Sequence, residues 1–251
     1  MKIKIALIVL LLAVCLTASG CSYLKSTWKG TRKVYKEYVN PNPSLDLEVP
    51  EDSPRAEFSR LFRPVDTQLA RLYRIMNSQD RFPSDEWYGR VLEELPWLSG
   101  LMAIDSSGVV LHQEPPVTMK SLDFTSELAL GDEWNDRKVR GGFKETPLGP
   151  EFFLAAPFFK DSLWQGLIVA HFDPRSLCRL SDAPDRLILF SNSTLFCGRL
   201  GAEGPDKAMQ LIENRLLNAD KIQGTMDVDG RVYLWLARTM GGVWFIYAME
   251  Q

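Results

Sequence analysis

One order of apolar runs and turn signals occurs twice in this chain, and that repetition limits the fold more than any single motif. From Gly100 to Gln113 the sequence predicts a hairpin: Leu101-Met102-Ala103-Ile104, a turn at Asp105-Ser106-Ser107-Gly108, then Val109-Val110-Leu111. A polar stretch with no clear period runs from Glu114 to Gly149. Strand candidates follow at Glu151 to Phe159 and Leu167 to Phe172, joined by a turn around Asp161, and Asp173-Pro174 caps a short helix. The order then returns. Arg186 to Phe190 and Thr194 to Gly198 predict a hairpin, Asp206 to Leu217 a helix, and three further strands begin at Gln223, Arg231 and Val243. Asp229-Gly230 and Gly241-Gly242 are the sharpest short turn signals. A supersecondary unit used twice implies two similar lobes, each with a five-stranded antiparallel layer.

A long helix precedes both copies. The segment from Asn40 to Pro54 is rich in proline and reads as an extended linker, after which Asp52 or Ser53 caps a helix with Pro54 in its first turn. Phe58, Leu61, Phe62, Val65, Leu69, Leu72, Tyr73 and Met76 recur at spacings of three and four, one apolar stripe on a helix of about 25 residues. Pro64 predicts a kink within it. A second helix starts after Ser84, carries Trp87, Val91, Leu92 and Leu95 on one side, and stops at Pro96.

The N-terminus sets the address. Lys2 and Lys4 precede an apolar run from Ile5 to Leu16 and then Thr17-Ala18-Ser19-Gly20-Cys21. A basic start, a short apolar core and small residues make a secretory signal peptide. The run of about a dozen residues is too short to span a bilayer, which needs about 20. Small residues ending on cysteine resemble the bacterial lipoprotein lipobox, with Ala18 where that family most often has Leu. The resemblance implies lipidation at Cys21, a membrane anchor, and a domain facing the periplasm. Ser22 in place of aspartate resembles the pattern for export to the outer membrane of diderm bacteria. An ordinary cleaved signal peptide is the alternative.

Removing Lys2 and Lys4 lowers the basic count from 29 to 27, against 32 acidic residues. That balance argues against a nucleic-acid partner, which needs a concentrated basic surface. The cations that do cluster, Lys25, Lys29, Arg32, Lys33 and Lys36, are interleaved with Tyr23, Trp28, Tyr35 and Tyr38 beside the lipid site. This suits either a membrane interface or a solvated tether. Of the four cysteines, Cys15 leaves with the signal and Cys21 takes lipid. Cys178 and Cys197 either form a bridge, as an oxidising compartment permits, or pack as two thiols.

An enzyme is not indicated. The two histidines are His112, in a polar loop, and His171, and no Gly-x-Ser-x-Gly supplies a nucleophile. There is no Cys-x-x-Cys, no Cys/His cluster and no glycine-rich phosphate cradle, so no metal or cofactor is implied. Asp227-Val228-Asp229-Gly230 is better explained as a hairpin turn than as a calcium loop.

The stretch Gly100 to Leu111, Phe153-Leu-Ala-Ala-Pro-Phe-Phe159 and Gly166-Leu-Ile-Val-Ala170, in this order behind a long helix, resembles the double Cache family of extracytoplasmic sensor domains. The resemblance spans about residues 55 to 250. It implies an α+β fold, two PAS-like antiparallel-sheet modules stacked along a long N-terminal helix. Its divisions are a signal peptide over 1–20, a lipidated tether over 21–54, two helices over 55–97, a membrane-distal module over 98–182 and a second module over 183–251. It also implies a ligand pocket on the concave face of the first sheet. The candidate lining is Trp87, Tyr88, Arg90 and Trp97 from the second helix, facing Phe153, Ala155, Lys160 and Asp161, with Arg90 available to hold a carboxylate. Family members usually drive an output module through a second membrane span. None follows here, so on this reading a small-solute signal leaves through a partner protein. The rival expectation is an envelope structural or interaction lipoprotein with no small ligand.

Overall fold

Ser53 opens the first element of the computed structural model, which describes residues 53–251 apart from 193, 202, 203, 220 and 221. The signal segment, Cys21 and the basic, aromatic tether lie outside the described residues. The Ser53 hydroxyl accepts the Ala56 N–H at 3.2 Å and Pro54 occupies the first turn of helix α1 (Pro54–Ser78). Seven of the eight stripe residues are buried and Tyr73 is half-buried. The helix continues through Pro64 without a break. Helix α2 (Asp85–Glu94) follows, with Trp87, Tyr88 and Val91 turned inward.

Two five-stranded antiparallel sheets come next. The first contains β1 (Gly100–Asp105), β2 (Val110–Glu114), β3 (Arg140–Lys144), β4 (Glu151–Lys160) and β5 (Leu163–Phe172), in the order β2-β1-β5-β4-β3. The second contains β6 (Ile188–Ser191), β7 (Thr194–Cys197), β8 (Gln223–Val228), β9 (Arg231–Met240) and β10 (Val243–Glu250), in the order β7-β6-β10-β9-β8. Strand for strand, the two orders are the same. The turn between β4 and β5 has Asp161 and Ser162 at φ 52° and 65°, the paired left-handed conformation of a tight hairpin.

Between its second and third strands each module inserts helical structure. In the first this is α3 (Thr125–Leu128) and a 3-10 turn at Gly131–Asp136; short helix α4 (Pro174–Cys178) ends that module, and the second inserts helix α5 (Gly204–Ala219). The polar stretch over 114–149 carries no period from which an element is predicted. The structure places α3, the 3-10 turn and the edge strand β3 there.

Three kinds of contact join the modules. Cys178 and Cys197 form a disulfide, Cα–Cα 6.3 Å, from the end of α4 to the end of β7. The Gly141 N–H donates to the Gly241 carbonyl at 2.7 Å. Phe143, Phe152, Phe196 and Phe245 make successive ring contacts with centroids 4.9–6.3 Å apart. Helix α1 packs on β4 of one sheet and β9 and β10 of the other. Arg238 of β9 donates through Nε and Nη2 to the two Asp66 oxygens, each at 3.1 Å, and so fastens the helix to the second sheet.

Candidate ligand-binding site

Alternation along the strands gives the first sheet two distinct faces. The register aligns Met102, Val169 and Ala155 across β1, β5 and β4, and Gly100, His171 and Phe153 one step away. This face carries Met102, Ile104, Phe153, Ala155, Leu167 and Val169, and the 114–139 insert covers it with two buried rings, Phe124 and Trp134. The opposite face, with Phe152, Leu154 and Phe172, looks toward the second module and Trp97.

The cover is fastened by charge as well as by rings. Lys144 of β3 donates to both Glu127 carboxylate oxygens, at 2.9 and 2.8 Å, and to the Ser126 hydroxyl at 3.2 Å. Its ammonium lies 5.4 Å from the centroids of both Phe124 and Phe153. Four residues earlier on β3, Arg140 forks onto both oxygens of Asp136 at 3.0 Å, and its guanidinium stacks 4.3 Å over Trp134. The Trp134 indole N–H donates to the Glu127 carbonyl at 2.8 Å, and the ring is 0% exposed. Burial pushes the Asp136 carboxyl up, but the Lys138 N–H and Arg140 outweigh it and hold the group below its ordinary range.

A buried polar cluster closes the other end of the same face. Glu151 is fully buried; it accepts from Lys120 of the insert at 2.5 Å and meets His171 Nδ1 at 2.7 Å. Lys120 also reaches Asp173 at 3.4 Å, and Asp173 caps α4 by accepting the Arg175 N–H at 3.0 Å. Burial raises the Glu151 carboxyl, yet hydrogen bonds from His171, Lys120 and Ser99 bring it below the usual carboxylate value. Asp173 is likewise pushed up by burial, and Arg175, with the Lys120 charge, draws it down to about 2. The structure pairs His171 with Glu151, twenty residues away and one strand across.

The eight residues proposed from sequence do not form one pocket. Phe153 and Ala155 lie on the insert-covered face. Trp87, Tyr88 and Trp97 pack on the other: Tyr88 stacks on His112 with centroids 4.0 Å apart, and Trp97 meets Phe172 edge-on and donates to Gln68 of α1 at 3.4 Å. Arg90 is exposed, as are Lys160 and Asp161 at the far hairpin. The reason is β4 itself. Nine of its ten residues are buried on both faces, so the strand shows no alternation from which to choose a side. Four residues with a stronger claim, Lys120, Arg140, Lys144 and Trp134, were missed. They fall in the stretch that lacked a period, and only the closed fold gathers them.

Among the described residues no group of His, Cys, Asp and Glu is placed to hold a metal ion, and no helix is long and apolar enough to cross a membrane. One shallow cleft of about 240 Å³ lies between the end of α1 and β4, bordered by Asp80, Arg137 and Pro157.

No family model and no curated protein matches this chain. Solved structures do match. An extracellular ligand binding receptor from Desulfohalobium retbaense superposes with a TM-score of 0.51 at 12% identity, covering 78% of this chain and 38% of that one. The chain thus spans well under half the length of that receptor. The ligand-binding domain of a Pseudomonas aeruginosa amino acid chemoreceptor, solved in complex with GABA, superposes at 0.48 with 10% identity, over 78% of this chain and 95% of that one. A methyl-accepting chemotaxis protein gives 0.49 at 12% identity, over 78% and 94%. Identities this low speak to architecture alone. Two sheets of identical strand order on one long helix, matched across 78% of the chain, give this protein the double Cache fold.

Proposed function

We propose that this protein is an extracytoplasmic sensor lipoprotein, anchored through Cys21, whose first module binds a small solute and which signals through a partner protein. The observation that carries this reading is the covered face of the first sheet. An insert rather than a strand or long helix closes it, aromatic rings line it, and three cations from β3 and the insert stand at its rim. Small-molecule sites combine apolar walls with a few fixed polar groups in this way. The extracellular ligand binding receptor that superposes over 78% of this chain supports the same assignment.

A ligand that binds only the native state raises its melting temperature in proportion to the logarithm of concentration over Kd. The full chain in detergent, screened against amino acids, organic acids and polyamines, is expected to gain several degrees with one class. Fractionation of Cys21→Ser tests the anchor: the variant leaves the membrane pellet while the wild type stays. One observation favours the rival reading, an envelope interaction or structural protein. Trp134 already fills the face, with no exposed surface. A flat response across the whole panel decides for that rival.

A further inference from the structure

The insert holds itself down with carboxylates, and the cations that receive them belong to the sheet. Glu127 presents both oxygens to Lys144, and Asp136 presents both to Arg140. Lys120 holds the start of the insert on Glu151, and around α3 these two pairs are the charged anchors. None of the four residues of α3 is buried, and Phe124 and Trp134 are the insert's buried rings on this face. A four-residue helix with no fully buried side chain, its Leu128 packing only partly buried against the core, belongs to the low-stability part of a fold. The Lys144–Glu127 pair is sheltered all the same, at 19% and 17% side-chain exposure, with the ammonium in a notch between Phe124 and Phe153.

We propose that Glu127 is a built-in occupant of the solute site and that the solute is a small organic carboxylate, which displaces Glu127 from Lys144 and frees α3. This deepens the sensor reading above and rests on it. The class follows from charge. Removing one partner of a sheltered ion pair leaves the other uncompensated, which is strongly unfavourable. A neutral or cationic solute entering the notch would strand Lys144 in that way. A carboxylate restores the same two-oxygen contact, so the exchange is nearly balanced electrostatically, and the solute's apolar part gains the faces of Phe124 and Phe153. The acid displaced is not stranded either, because Glu127 swings into solvent on an exposed turn. Arg140 stays paired with Asp136: four residues along a strand is roughly 13 Å, beyond the reach of one small monocarboxylate.

The test compares carboxylates with their amides. Thermal shift and titration calorimetry of the full chain in detergent use butyrate and phenylacetate, butyramide and phenylacetamide, and putrescine. Carboxylates are expected to stabilise the protein and the amides and amine to do nothing. Glu127→Gln removes the internal competitor while keeping its shape, so carboxylate affinity rises by about tenfold, the gain expected when the binding-competent state is no longer rare. The double change Glu127→Gln with Lys144→Gln, which neutralises the pair together and so keeps the fold, abolishes carboxylate binding. Several outcomes overturn the proposal. Amides binding as well as acids defeats the carboxylate class and leaves the sensor reading standing. Weaker binding by Glu127→Gln makes Glu127 a ligand contact and ends its role as occupant. No response from any solute in wild type or Glu127→Gln brings down the sensor reading as well.

Discussion

The two modules share one strand order and cover their inner faces by different means. In the second, α5 lays Ala208, Met209 and Ile212 against Phe190, Trp235, Ile246 and their neighbours, an apolar closure by a helix of 16 residues. In the first, the cover is a four-residue helix and a 3-10 turn, held by two rings and by ion pairs to Glu151, Lys144 and Arg140. Hydrophobic closure is non-directional and scales with area, whereas ionic closure depends on partner, pH and salt. The same topology therefore yields one lobe suited to permanence and one whose cover answers to solution conditions.

The widest gap between the lobes is expected from truncating one tryptophan in each. Trp235→Ala empties a central position in the second core and is expected to cost about 4 kcal/mol, felt as a lower midpoint for the whole domain in urea unfolding. Trp134→Ala is expected to cost less, because the insert relaxes into the space, and to raise protease cleavage between 115 and 138 without moving the global midpoint as far. Equal losses from the two would erase the contrast. Next, Glu151→Gln leaves Lys120 and His171 without their buried carboxylate and is expected to cost about 3 kcal/mol, with hydrogen exchange rising first in the insert. Exchange rising equally in α5 would show the lobes to be one cooperative unit.

The smallest effect is with pH. Asp136, Glu151 and Asp173 are held below their ordinary values of 3.8 and 4.5, Asp173 at about 2. A carboxyl with a depressed native pKa contributes stability that is fully present above the unfolded value and lost as pH falls through the native one. Between pH 4 and pH 2 the first cover is therefore expected to loosen while the second lobe holds, read by fluorine NMR of labelled Trp134 and Trp235. Simultaneous loss of both signals would place the acid-sensitive groups elsewhere.

Architecture was legible wherever periodicity and turn chemistry agreed. The α1 stripe, the paired hairpins and the glycine turns all lie within a few residues of where the sequence puts them. The missing strand is instructive. β3 reads Arg-Gly-Gly-Phe-Lys, a poor strand sequence on local grounds. A Cβ on Gly141 would sit 2.8 Å from the Phe152 ring, and one on Gly142 2.7 Å from the Phe153 ring. The neighbouring strand's side chains occupy the space, so the reason for those glycines lies eleven residues downstream. The candidate site was lost for a related reason: the cations that define it are spread over Lys120, Arg140 and Lys144, and no spacing along the chain links them.

The backbone contact between Gly141 and Gly241 has a consequence for how closely the lobes are set. A Cβ on Gly241 would fall 2.3 Å from the Gly141 nitrogen, where ordinary contact begins at 3.4 Å. A single added methyl would have to wedge the halves apart by about 1 Å, against a disulfide that fixes their separation on another side. The gauge between the lobes is thus the thickness of bare peptide, and since it touches the strand bearing Arg140 and Lys144, any shift of that strand bears directly on the β9–β10 turn.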